Sequence, residues 1–241
     1  MEKVLKIKTP DGKTINALLR GSLRNPVIVH VHGLAGNMNE AMHYNAARYF
    51  EKQGFASLRF DLYSWEKGTR KMHESTFSTH GKDIDTVLSY ITSRGAKKIF
   101  LVGHSYGFPS ILHTKNRNFT AVASWDGSIL PTNHVDVPER IEKPKGRLIM
   151  DNGYLIVVSE EMAKDSHTIK SLDLLKSFEQ PISYITVDDN VNGNLSGAQR
   201  MFKTTSQKKE LIVIKGAHHT FSEDGKQDQL YKATIKWFKK F

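Results

Sequence analysis

Short apolar runs alternate with amphipathic stretches along almost the whole of this chain, and that alternation leaves few folds open to it. Runs rich in β-branched and aromatic residues stand at 27–31, 56–60, 98–102, 121–125, 182–187 and 211–214. They are predominantly apolar without strict alternation, as strands covered on both faces are. Between them, segments at 39–53, 78–94, 107–115, 195–205 and 226–240 carry apolar residues at helical spacing. Strand, helix, strand in this rhythm specifies an α/β fold with a mostly parallel sheet and helices on both faces. Residues 4–8 and 14–19, separated by Pro10-Asp11-Gly12, read as a hairpin that adds an antiparallel edge and brings the sheet to eight strands.

One interval breaks the rhythm. Between Asp126 and Ser177 about fifty residues pass before the next strand, far beyond an ordinary connection. The expected organisation is a core of residues 1–127 and 177–241 with an inserted segment, 128–176, that has structure of its own. Within it, 147–151 and 154–158 flank Asn152-Gly153, whose residues suit the positive φ angles of a type I′ hairpin turn. Residues 160–176 read as helical. Such an insertion is a candidate lid, and Met150, Tyr154, Ile156 and Met162 either line a pocket beneath it or form its own small core.

Composition removes several function classes. The chain has no cysteine, which excludes a disulfide, a thiol nucleophile, an iron–sulfur cluster and a thiolate zinc site. With 241 residues, 39% hydrophobic and 25% charged, it has the balance of one globular domain. No apolar run approaches the ~20 residues of a membrane helix, and the N-terminal residues alternate charged and apolar without a signal-peptide core. The expectation is a cytoplasmic protein with no membrane span. The net charge of +10 favours anionic partners at long range. However, the basic residues come as scattered pairs, such as Lys97-Lys98 and Lys208-Lys209, without the basic stripe of a nucleic-acid surface. No nucleic-acid partner is expected, and oligomeric state is not legible.

Directly after the run 98–102 comes Gly103-His104-Ser105-Tyr106-Gly107, leading into a helical segment. G-x-S-x-G between strand and helix is the pattern of a nucleophile elbow, a sharp turn that exposes a serine hydroxyl. Serine is a weak nucleophile at neutral pH and needs a base within reach and an acid to orient that base. Asp188-Asp189 follows the run 182–187, and Gly216-Ala217-His218-His219 follows 211–214, so the chain order Ser, Asp, His is present. Negative charge on an attacked carbonyl needs preorganised donors. Those expected are the amide of Tyr106, after the serine, and that of Leu34, in the loop His32-Gly33-Leu34-Ala35-Gly36 after an early strand.

Together these residues resemble the α/β-hydrolase superfamily. Within it, H-G-x-x-x-N from His32, R-F-D at 59–61, G-H-S-x-G at 103–107 and G-A-x-H-x-F at 216–221 resemble the small feruloyl (cinnamoyl) esterase-like group, over nearly the whole chain. The resemblance implies an α/β-hydrolase fold with a lid after strand six and a serine carboxylesterase acting on a small ester through an acyl-enzyme, possible substrates being hydroxycinnamoyl-type or short acyl esters. Carried over by position, it makes Ser105 the nucleophile, His219 the base, Asp189 the acid, and Leu34 and Tyr106 the oxyanion donors. It implies no cofactor.

Alternatives stand beside this reading. Asp188 competes with Asp189 as the acid, and Asp126, after the sixth strand, is a third candidate that otherwise lines the pocket or caps a turn. The same triad serves an acyl transferase or thioesterase, and a hydrolase-fold binding protein would keep the pocket without turnover. His30 and His32 share a face of a strand, yet no third ligand at suitable spacing accompanies them, so packing beside the oxyanion loop is expected and no metal. His104 is expected to pack within the elbow.

Overall fold

A computed structural model describes residues 2–131, 147–151, 155–189 and 194–241; for 147–151 and 155 the description is of the backbone. Eight strands form one sheet in the order β1 (Glu2–Lys8), β2 (Thr14–Arg20), β4 (Ala56–Phe60), β3 (Val27–Val31), β5 (Ile99–His104), β6 (Ala121–Trp125), β9 (Ile182–Val187) and β10 (Lys209–Ile214). From β4 to β10 the neighbours run parallel, while β1 and β2 pair antiparallel with each other and β2 antiparallel with β4. The expected sheet is present. Every residue of β3, β4, β5, β6 and β9 is buried, which explains their predominantly apolar sequence.

Helices cover both faces. On one face lie α2 (Phe77–Ser93), α3 (Gly107–Leu112) and α6 (Asn194–Thr204), with Ile84, Val87, Leu88 and Ile91 of α2 fully buried against the sheet. On the other lie α1 (Ala41–Lys52) and α7 (Lys226–Phe238), where Phe50, Leu230, Ile235 and Trp237 pack on Ile28, Phe100 and Trp125. Each fully buried side chain of this size contributes about 1.5–3 kcal/mol relative to exposure. Thr76 caps α2 by accepting the Thr79 N–H, and the Thr79 hydroxyl accepts the Thr76 N–H. Among the described residues no helix is long and apolar enough to cross a membrane.

The register decides where chemistry can happen. Val31 pairs with Gly103, Gly103 with Ser124 and His104 with Trp125, so the C-terminal ends of β3, β5 and β6 lie side by side. In open parallel sheets that edge is where ligands bind. The loops leaving it carry Gly33-Leu34, Ser105 and Asp126, and the loop after β10 carries His219.

In the 128–176 segment, β7 (Arg147–Asp151) and β8 (Leu155–Ser159) pair antiparallel as a separate ribbon, followed by α4 (Glu160–Thr168) and α5 (Ser171–Lys176). The helical stretch predicted over 160–176 is thus two helices, parted at the extended Ile169 and Lys170. The Asn152-Gly153 turn and Tyr154 lie outside the described residues, as does the side chain of Met150. Ile156, Val158, Met162 and Ala163 are buried with Phe77, Tyr106 and Leu130, and Leu34 and Ala35 pack against them. The Ser159 hydroxyl donates to the Ser75 carbonyl at 2.7 Å, pinning the ribbon to the core beside α2.

Candidate active site

Ser105 stands between β5 and α3 with φ of 51°, in the left-handed region that costs a non-glycine residue about 1–2 kcal/mol. The surroundings hold it there. Its N–H donates to the Trp125 carbonyl at 3.1 Å, and its own carbonyl accepts the N–H groups of Phe108 and Ser128, both at 3.1 Å. The two elbow glycines are required by close approach. A Cβ on Gly107 would lie 2.3 Å from the Val31 carbonyl oxygen, and one on Gly103 would lie 2.9 Å from backbone atoms of Gly107 and Phe108. Ser105 is 9% exposed, and the Ser128 hydroxyl lies 3.5 Å from its Oγ.

His219 Nδ1 lies 2.5 Å from Asp126 Oδ2. A carboxylate can only accept here, so Nδ1 carries the proton and Nε2 keeps the lone pair that a general base needs. Asp126 is 1% exposed and occupies the left-handed region, φ 43°, a conformation that aspartate tolerates better than most residues. Its other bonds come from β9 and beyond: the Thr186 hydroxyl at 2.6 Å, the Val187 N–H at 3.3 Å and the Asn194 amide at 2.8 Å. Burial alone would raise the Asp126 carboxyl. The His219 hydrogen bond and charge, with Thr186 and Asn194, outweigh it and hold the group below the usual carboxylate value.

The aspartate expected from the resemblance is therefore corrected. Asp189 is exposed, and it is Asp126 that His219 engages. Asp188 is exposed as well and accepts the Gly216 N–H at 2.8 Å, a bond that ties the β9 and β10 exits together. β6 and β9 are adjacent in the sheet, so an acid at the end of either strand can reach the histidine loop. Here the residues leaving β9 support an acid that leaves β6. Asn194, 4% exposed at the start of α6, is a site residue the sequence reading missed. An asparagine after Asn-Gly at a helix start gives no local sign that its amide points at a carboxylate. Of the two adjacent histidines, His218 is exposed and bonds Glu223 at 2.6 Å, leaving His219 to the site.

The loop after β3 has a specific construction. His32 Nε2 accepts the Leu62 N–H at 3.0 Å, so Nδ1 bears the proton and donates to the Gly33 carbonyl at 2.8 Å. The Tyr63 hydroxyl donates to the same carbonyl at 3.0 Å. Because a trans peptide points its C=O and N–H in opposite directions, anchoring the Gly33 oxygen aims the Leu34 N–H away from these donors. Gly33 abuts Ser105: a Cβ there would sit 3.0 Å from Ser105 Cβ. Burial lowers His32 to about 4, keeping it neutral and able to donate and accept at once. The R-F-D segment braces the next residues, with Arg59 donating to the Met38 carbonyl at 2.7 Å and Asp61 accepting the Met38 N–H at 2.8 Å.

His30 packs edge-on against His43 and Trp125 in the core, as a packing role predicts. His104 is placed more pointedly. Its Nε2 lies 2.9 Å from the His219 carbonyl, and the two rings lie 4.6 Å apart between centroids. Burial lowers His104 to about 3. A cleft of about 200 Å³ opens beside the loop after β3, lined among others by Ala35, Gly36, Tyr63, Trp65 and Met72. A larger cavity of about 840 Å³, lined by Asp11, Arg70 and Asp83, contains none of these site residues.

An eight-stranded sheet with this order, an elbow after β5 and a histidine after β10 has close structural counterparts. Est1E from Butyrivibrio proteoclasticus, with ferulic acid bound, superposes with a TM-score of 0.82 at 17% identity, over 98% of each chain. The chain has the α/β-hydrolase fold. The α/β hydrolase GrgF from Penicillium sp. matches with a TM-score of 0.83 at 15% identity, over 100% of this chain and 98% of that one. A dienelactone hydrolase from Anabaena variabilis matches with a TM-score of 0.73 at 14% identity, over 100% and 98%. No family model matches the chain, and no curated protein sequence does. At these identities the likeness establishes the α/β-hydrolase fold and leaves the chemistry to the site.

Proposed function

We propose that this chain is a serine carboxylic-ester hydrolase. The observation that carries the proposal is the His219–Asp126 pair, 2.5 Å apart, on the same sheet edge as a serine held in a left-handed elbow. The Ser105 hydroxyl attacks the ester carbonyl while His219 Nε2 takes its proton, and Asp126 stabilises the imidazolium that forms. The amides of Leu34 and Tyr106 donate to the oxyanion. His219 returns the proton to the departing alcohol, leaving Ser105 acylated. Water, deprotonated by the same nitrogen, then releases the acid and restores the serine.

The substrate reading is an ester whose acyl or alcohol part is aromatic or short. Two features support it: the cleft beside the oxyanion loop, where Trp65 is 79% exposed, and the apolar cluster of Phe77, Tyr106, Ile156 and Met162. The ligand of one structural neighbour, ferulic acid on Est1E, carries an acyl group of the same aromatic kind. Residues 128–176 are read as a lid, because their ribbon packs on Tyr106 and Leu34, the two residues whose amides this proposal assigns to the oxyanion.

The test is covalent labelling. Treated with a fluorophosphonate, the wild-type chain is expected to gain one adduct, mapping to Ser105 by peptide mass, and Ser105→Ala to gain none. His219→Ala should label at least about a hundredfold more slowly. A folded wild type that takes no label, or an adduct that persists in Ser105→Ala, overturns the proposal.

A further inference from the structure

Behind the elbow lies a cluster of buried polar side chains that the reaction above does not use. Glu40, His43 and His104 each present one ligand atom within 4.8 Å of the other two. His43 is fully buried, and neither of its ring nitrogens has a hydrogen-bond partner; His104 is 5% exposed, and its Nδ1 has none. Glu40 Oε2 is also buried without a partner. Leaving a buried polar atom unpaired costs about 1–3 kcal/mol, and three such atoms, one from each residue, converging on one point need a common explanation.

We propose that Glu40, His43 and His104 bind a divalent transition-metal ion, with zinc the best match to the donor set. The protonation states suit it. His104 Nε2 faces the His219 carbonyl, which can only accept, so Nε2 carries the hydrogen and Nδ1 offers a bare lone pair. A backbone carbonyl on the far nitrogen is the usual second-sphere partner of a metal-bound imidazole. The His43 ring is held by stacking on Trp125, with centroids 5.6 Å apart and planes 17° apart, and its Nε2 lies 3.7 Å from Glu40 Oε2. Two ligands about 2.0–2.1 Å from a tetrahedral zinc stand about 3.4 Å apart, so that edge is nearly formed.

Glu40 supplies the anion. It occupies the N-cap position of α1, yet its side chain makes no capping bond. Instead it folds back over Gly36, where a Cβ would meet the carboxylate at 2.8 Å. Two imidazoles and one carboxylate suit zinc or cobalt, and they disfavour calcium and magnesium, which take oxygen ligands. Glu40 is the partly exposed member, its side chain 36% accessible, and gives the ion a way in. Once bound, the ion ties the start of α1 to the last residue of β5, immediately before Ser105.

The test reads binding directly and does not depend on turnover. The untagged full chain, stripped with EDTA, is titrated with zinc by calorimetry and with cobalt by visible absorption. One equivalent per chain with a Kd of about 1 µM or tighter is expected, and cobalt should give the intense absorption of a four-coordinate site. Glu40→Gln should weaken zinc binding at least about tenfold to a hundredfold and abolish the cobalt spectrum. His218→Ala, at the exposed pair with Glu223, should leave both unchanged. His43→Gln disturbs a buried stack, so Glu40→Gln, at a partly exposed position, is the deciding variant. Two results overturn the proposal: wild type taking up no zinc below about 100 µM, or Glu40→Gln matching wild type in affinity and cobalt spectrum.

Discussion

Replacing Asp126 by asparagine separates the acid seen in the structure from the one implied by resemblance. The substitution keeps the size of the side chain and most of its bonds to Thr186, Val187 and Asn194, but removes the charge opposite His219. With charge centres about 4 Å apart and an effective dielectric of about 20, the carboxylate stabilises a transition-state imidazolium by about 4 kcal/mol. At 1.36 kcal/mol per decade this is about a thousandfold in rate. The new amide also offers N–H groups to Nδ1, favouring the wrong tautomer, so the expected loss in kcat is about 10³ to 10⁴. Asp189→Asn, at an exposed position, should change kcat by less than about threefold. Both variants would be assayed for p-nitrophenyl ester turnover and for the rate of fluorophosphonate labelling, with circular dichroism confirming the fold. If Asp126→Asn kept more than about a tenth of wild-type activity while Asp189→Asn lost a thousandfold, the assignment would be refuted.

Tyr63→Phe removes one of three donors on the Gly33 carbonyl, the others being His32 Nδ1 and the Gly36 N–H. It should lower kcat about tenfold with KM little changed, because the Leu34 amide serves the transition state rather than the bound ester; a rise in KM at constant kcat would contradict this. Acid should destabilise the fold through its buried histidines. Burial holds His32 at about 4 and His80 at about 3, against about 6.5 in the unfolded chain, so between these values the unfolded state binds more protons and stability falls as pH drops. From pH 7 to pH 5 each of the two contributes a loss of about 2 kcal/mol. The urea midpoint should therefore fall clearly over that range, and an unchanged midpoint would show that these rings are hydrated or already charged.

How much was legible in the sequence depends on whether the determinant was local. The strands at 27–31, 56–60, 121–125 and 182–187 match the structure residue for residue, because an apolar run bounded by turn residues is buried on both faces whatever its neighbours are. The elbow was equally legible, since Gly103, Ser105 and Gly107 answer to backbone conformation and close approach within a few residues. Chain order Ser, Asp, His was present too, yet it favoured Asp189, whereas His219 pairs with Asp126, the third candidate.

The sequence by itself determined the alternation of strands and helices, the long interval after the sixth strand, the sharp turn at Ser105 and the glycine loop facing it. Tertiary structure alone decided which acid meets His219. β6 and β9 lie side by side, both end in aspartates, and the choice turns on Asp126 adopting a left-handed turn that Thr186 and Asn194 then hold. It also decided that Glu40, His43 and His104 converge: Glu40 and His104 are 64 positions apart in the chain, and no sequence spacing brings them together. Periodicity reports which face of an element is buried, whereas a hydrogen bond between loops depends on the paths of several strand ends at once, which no single segment encodes.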